Sequence, residues 1–223
     1  MFPIRDNQNS NKFPLVNITL IGVNIYMFIQ QIFVPNPEFF TLNYALIPIN
    51  VNFWQPETLR PFVTSMFLHA GFLHILSNMW FLWIFGDNVE AKIGHIKYIL
   101  FYLFCGIGAS FIQYLFIFDS HLPMVGASGA IAGVLGAYFK FFPKNKVDTI
   151  IPIFGFPFIL VLPANFILIY WFITQAFNGV ATILTATASV GGIAYLAHVG
   201  GFASGIIVSK YFIWPSKKIS GIV

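Results

Sequence analysis

Runs of roughly twenty apolar residues recur along this chain, the length a helix needs to cross a hydrocarbon core of about 30 Å. Six candidates lie between the charges and the Pro and Gly clusters: Phe13 to Val34, Ser65 to Phe85, His95 to Phe118, Ser128 to Phe142, Pro163 to Leu184 and His198 to Trp214. Of the 223 residues, 58% are apolar and 8% are charged, where a soluble domain carries about a quarter charged. That excludes an ordinary cytosolic globule. It predicts an all-α polytopic membrane protein, one domain over residues 1–223 with six transmembrane helices in a compact bundle and the lipid bilayer as its solvent. The first run, softened by Asn17, Asn24, Gln30 and Gln31, lacks the cleavage pattern of a removable signal peptide and reads as a retained helix. Thr185 to Ala197, rich in Ala, Thr and Gly, reads as a pliable cap. Ile150 to Leu162, interrupted by Pro152, Gly155 and Pro157, reads as a surface-lying connector.

The net charge of +4 comes from eleven Lys and Arg against seven Asp and Glu, too sparse a set to make a nucleic-acid surface. With six spans, Arg5, Lys12, Lys92, Lys97, Lys140, Lys144, Lys146, Lys210, Lys217 and Lys218 fall on one side and only Arg60 on the other. The positive-inside rule then predicts that both termini are cytoplasmic. The connection from Pro35 to Thr64, with Trp54 and Arg60, becomes an external substructure too long for an idle turn. The single cysteine, Cys105, can form neither an internal disulfide nor a Cys-rich metal site.

Polar groups inside spans are costly, so each is a candidate for function. In HAGFLHILSN, His74 and Asn78 are four residues apart and share a helix face. His69 is rotated away from them and is expected to make a structural hydrogen bond near the rim. In GASGAIAG, Ser128 stands among small residues, Gly126 and Gly129 included, that allow close approach of a backbone or a substrate. In AHVGGFASG, His198 precedes Gly201 and Gly205, which with Ala197 form a stripe at every fourth position. A matching stripe runs through Gly129, Gly133 and Ala137. Two such faces docked in parallel would bring Ser128 and His198 to one depth, as a nucleophile and its base require. Interhelical packing is the alternative reading of each cluster taken alone. With no acid near His198, a Ser-His dyad is expected, with His74, Asn78 and the Ser128 main-chain N–H as donors to a developing oxyanion.

HAGFLHILSN, GASG and AHVGGFASG, with GDNVE at the end of the second run, resemble the signature of bacterial rhomboid intramembrane serine proteases over about Arg60 to Gly205. The resemblance implies cleavage of the transmembrane segments of other proteins near the external face of a cell membrane. Ser128 would be the nucleophile, His198 the general base, and His74 and Asn78 the oxyanion donors. Glu90 matches a structural acid, and the fifth span with its cap would match a mobile gate and lid. Gly126, Gly129, Gly201, Gly205 and Arg60 are expected to support the site. Two departures stand out: Ala132 replaces the usual aromatic beside the catalytic histidine, and Leu59 replaces the Trp that usually precedes Arg60. The rival readings are an inactive relative that binds membrane clients, and a small-solute transporter, against which no paired halves are visible. No cofactor or metal is expected; there is no HExxH motif for zinc, and no intramembrane Asp pair for an aspartyl mechanism.

Overall fold

The computed structural model describes residues 1–8, 10, 12–185 and 194–212. In chain order these form strand β1 (Phe2–Asp6), helices α1 (Leu15–Phe33), α2 (Pro37–Tyr44), α3 (Pro61–Thr64), α4 (Phe72–Ile93), α5 (His95–Phe116) and α6 (Ser128–Phe141), strands β2 (Lys146–Ile153) and β3 (Phe156–Pro163), and helices α7 (Ala164–Leu184) and α8 (Tyr195–Phe212). Helices α1, α5 and α7 are each long and apolar enough to cross a membrane, with mean hydropathies of 1.5, 1.8 and 1.6. A fourth crossing is counted if Pro56–Phe67 and Phe72–Ile93, bent by 81°, form one span. The protein is therefore a mostly helical, multi-pass membrane protein. Helix α6, with 14 residues, is about 21 Å long, short of a full hydrocarbon core.

The bundle is built around α6. All of Gly129 to Tyr138 is buried, and α4, α5 and α8 enclose it. Glycine makes that enclosure possible. A Cβ on Gly201 would run into the carbonyl oxygen of Gly129, one on Gly205 into that of Gly133, and one on Gly136 into that of Phe202. The α6 and α8 backbones thus touch along the two small-residue stripes seen in the sequence. On α1, buried Asn17, Asn24 and Gln31 recur every seven residues and form one inward polar stripe. Asn17 donates to the Leu82 carbonyl (3.0 Å) and accepts from the Tyr98 hydroxyl (2.8 Å), while Gln31 donates to Thr41 Oγ1 (3.1 Å).

Glu90 joins three helices at one end of the bundle. Its carboxylate accepts from the main-chain N–H groups of Val16 (2.9 Å) and Asn17 (2.7 Å), which open α1, and pairs with His95, the first residue of α5. A helix start leaves such N–H groups without intrahelical acceptors, and a carboxylate there is doubly favoured. Between α4 and α5 only Gly94 intervenes, at φ +87°, a conformation that suits glycine. Lys12, Lys97 and Lys140 gather at the same end, where their ammonium groups donate to the carbonyls of Ala91 (3.3 Å), Phe212 (3.1 Å) and Ile206 (3.0 Å).

Three expectations need correction. The fold is not all-α: β1, β2 and β3 form an antiparallel sheet in that order. The connector from Ile150 to Leu162 lies within its β2–β3 hairpin, which turns at Phe154 (φ +51°) and Gly155 (φ +85°). Pro152 and Pro157 face each other one pair above a two-residue turn, where neither N–H would enter the ladder, so the prolines do not break it. The second span is not continuous from Ser65. A 3₁₀ turn ends at Phe67 and α4 begins at Phe72, because tertiary hydrogen bonds replace helical ones: the His69 N–H donates to Gln31 Oε1 (3.1 Å) and the Gly126 N–H to the Ser65 carbonyl (2.9 Å). The last helix begins at Tyr195, not His198, since Gln113 of α5 accepts from the Ala197 N–H (3.1 Å) and caps an added turn. Most of the expected cap, residues 186–193, lies outside the described residues, as do Lys217 and Lys218.

Candidate active site

Ser128 is the first residue of α6 and His198 lies in the first turn of α8. The glycine contact between these helices sets their side chains at one level: Ser128 Oγ is 2.8 Å from His198 Nε2. The serine is half-buried and the histidine buried. The start of α6 also leaves the Ser128 main-chain N–H without an intrahelical acceptor.

His198 is held on its other side by α7. Gln175 Oε1 lies 2.8 Å from Nδ1, and the Trp171 ring faces the imidazole at 5.8 Å between centroids with the planes 32° apart. At the position where an aromatic was expected, Ala132 is fully buried against the α8 backbone near Gly201, so the ring beside the histidine is supplied by a different helix. Tyr195 adds an edge contact at 6.4 Å. Sequence reasoning missed Gln175 and Trp171. The only available signal was a glutamine in a strongly apolar run, with a tryptophan four residues earlier on the same face.

His74 and Asn78 sit on the first two turns of α4. The Ala70 N–H donates to His74 Nδ1 (3.4 Å), which leaves the ring proton on Nε2, the atom that faces Gly126. A Cβ built on Gly126 would stand 2.9 Å from His74 Nε2 and 3.7 Å from Ser128 Oγ, so imidazole and hydroxyl border one small space that a side chain would fill. Gly126 also has φ +131°, which disfavours any other residue. Asn78 Nδ2 is buried with no hydrogen-bond acceptor among the described residues. The rim hydrogen bond expected of His69 is corrected. Its ring is fully buried, neither ring nitrogen has a partner among the described residues, and it packs on His74 at 5.1 Å and Phe28 at 6.4 Å.

The structure thus brings together Ser128, His198, His74 and Gly126. Gly129, Gly201 and Gly205 lie in the helix contact below them. Arg60 stays in the long loop, where its Nε–H donates to the Glu57 carbonyl (3.2 Å) beside Asn43, Tyr44 and Thr64. Glu90 belongs to the far end of α4. The loop residues do reach the site through backbone: Leu46 and Met124 exchange hydrogen bonds of 3.1 and 2.8 Å, which fastens the segment leading to Ser128.

The sequence matches the Rhomboid domain over residues 53–215, well over half of the chain. Similar proteins include RHOMBOID-like protein 1 of Arabidopsis thaliana, 32% identical over 150 residues (67% of this chain, 33% of the relative). Rhomboid protein 1, mitochondrial, of Saccharomyces cerevisiae is 29% identical over 248 aligned positions (95% and 68%). Presenilin-associated rhomboid-like protein, mitochondrial, of Mus musculus is 26% identical over 166 residues (71% and 40%). Apart from the yeast protein, the matches to these relatives span well under two thirds of the relatives' own length. They are eukaryotic, and the two mitochondrial ones give no support to the bacterial origin and cell membrane that the motifs implied. A match of this extent, carried by a multi-pass helical bundle with a Ser-His pair at its heart, leads to one conclusion: the chain belongs to the rhomboid family.

Proposed function

We propose that the protein is an intramembrane serine protease of bacterial type, with Ser128 as nucleophile and His198 as general base. The reading includes six spans with both termini cytoplasmic, a site opening on the external side of the cell membrane, and transmembrane segments of other proteins as substrates. The observation that carries it is the 2.8 Å contact between Ser128 Oγ and His198 Nε2. As Oγ attacks the scissile carbonyl, its proton passes to Nε2. The oxyanion that forms is met by His74 Nε2–H, Asn78 Nδ2–H and the Ser128 N–H. His198 Nε2–H then gives its proton to the leaving amine as the C–N bond breaks, and an ester joins Oγ to the new C-terminus of the substrate. Water attacks this ester with His198 Nε2 again taking the proton; as the bond from the acyl carbon to Oγ breaks, Nε2 returns that proton to Oγ, the new carboxyl end of the substrate leaves, and Ser128 is restored.

The test is labelling of purified protein in detergent by a fluorophosphonate, with the modified residue mapped, together with cleavage of a reconstituted transmembrane substrate. Labelling at Ser128, and loss of cleavage in Ser128→Ala and His198→Ala, are expected. Undiminished cleavage by Ser128→Ala would refute the mechanism. Substrate binding without labelling or cleavage by the wild type would favour a client-binding relative.

A further inference from the structure

We propose that Gln175 is a positioning residue that fixes the tautomer and the orientation of His198, so that a neutral amide on α7 takes the place a carboxylate holds in a Ser-His-Asp triad. This rests on the reading of Ser128 and His198 as nucleophile and base. One chain of hydrogen bonds fixes where each proton lies. The Thr174 hydroxyl has a single proton, which it gives to the Trp171 carbonyl at 2.6 Å. Its oxygen then accepts from the Gln175 amide NH₂ at 3.4 Å, which turns Gln175 Oε1 toward the imidazole at 2.8 Å. An amide oxygen only accepts, so His198 Nδ1 carries the proton. In a neutral imidazole Nε2 is then bare, and what it meets is the Ser128 hydroxyl at 2.8 Å. Every link runs in one direction and ends with the serine proton already directed at its acceptor.

Among the described residues, nothing else is placed to do this work. The titratable groups facing His198 are His74 from α4 and Tyr195 from α8, with Ser128 from α6. All seven carboxylates of the chain lie among the described residues, and none hydrogen-bonds His198. Trp171 and Gln175 are four residues apart on one face of α7, so one helix supplies both the stacked ring and the acceptor. Helix α7 packs chiefly on α8, less on α6, and has little contact with α4 or α5. Seating of α7 on α8 and readiness of the base are therefore one event.

The experiment uses the full chain in detergent, with histidine labelled by ¹⁵N and His198 assigned by comparison with His198→Ala. In the wild type the His198 signals should be those of the Nδ1–H tautomer. Gln175→Met, which keeps length and apolar bulk, should show a mixture with the Nε2–H form. In proteoliposomes its kcat should fall roughly ten- to a hundredfold, part of the 10²–10⁴ that a positioned base supplies, with KM within about twofold of wild type. Gln175→Glu, which presents an oxygen at the same reach whether ionised or protonated, should restore most of the loss. The proposal is overturned if Gln175→Met leaves the tautomer unchanged, or if its defect lies in KM and Gln175→Glu does not repair it. Since the tautomer is read without turnover, a wild type that shows the Nδ1–H form but cleaves nothing would refute the protease reading alone.

Discussion

Replacing Gly201 by alanine tests whether the distance between Ser128 and His198 is set by the backbone contact below it. A methyl group at 201 would overlap the Gly129 carbonyl oxygen and stand 3.1 Å from Ala132 Cβ, where carbon atoms rest at about 3.5–4.0 Å. The carbonyl cannot swing aside, because it belongs to the first turn of α6. Relief requires a separation of the helices on the order of 1 Å, which would stretch the 2.8 Å contact past the range in which a hydroxyl proton is shared, about 2.5–3.0 Å. A misplacement of that size costs on the order of 10²-fold in rate, while overpacking costs about 1–3 kcal/mol of stability. Cleavage of a transmembrane substrate in proteoliposomes, with a thermal unfolding curve on the same sample, separates the two effects. Gly22→Ala is the control, since a Cβ there meets nothing within 4 Å and its activity should equal wild type. Wild-type kcat in Gly201→Ala would refute the claim that this contact sets the geometry.

Other perturbations address the remaining parts. His74→Ala and Asn78→Ala should each lower kcat by roughly ten- to a thousandfold, the worth of one oxyanion donor, with fluorophosphonate labelling of Ser128 slowed in parallel; unchanged turnover in both would mean the donors lie elsewhere. Glu90→Gln weakens the cap on α1 and should lower the unfolding midpoint by an amount equivalent to about 1–3 kcal/mol without altering kcat/KM for the protein that remains folded. Burial pushes the Asp6 carboxyl from its ordinary 3.8 up to about 6, against the lowering effect of the Tyr138 hydroxyl. The folded state thus binds this proton more tightly than the unfolded one, so attachment of β1 is strongest below about pH 4 and weakens as pH rises through about 6. Hydrogen exchange of the Ile4, Arg5 and Asp6 amides between pH 4 and 7 should accelerate beyond the intrinsic pH effect in wild type, and that of Ile4 and Arg5 should not in Asp6→Asn.

What was legible in the sequence was whatever a local pattern records. The lengths of the apolar runs marked α1, α5 and α7, the small residues at every fourth position marked the α6–α8 seam, and the four-residue spacing of His74 and Asn78 put them on one face. Features made by residues distant in sequence left no such pattern. Gln175 is 23 positions from His198, and nothing in an apolar run with one glutamine says which atom its amide will meet. The sheet was hidden because prolines were counted one strand at a time, whereas Pro152 and Pro157 are harmless only as a facing pair. The break before α4 was hidden because its helical hydrogen bonds were exchanged for others, to Gln31 and from Gly126, that exist only once the bundle has formed.

The junction of β3 with α7 has a mechanical consequence. Pro163 ends the strand and Ala164 begins the helix, so α7 leaves the sheet without a linker and has a fulcrum at that end. Gln175 stands eleven residues along, about 16 Å from the fulcrum. A change of about 5° in the inclination of α7 would carry the amide sideways by about 1.4 Å, enough to part it from the imidazole. Helices adjust their inclination to the thickness of the hydrocarbon around them. With His198 as the base proposed above, a thinner or thicker membrane would reach it through the inclination of α7, by way of the Gln175 contact.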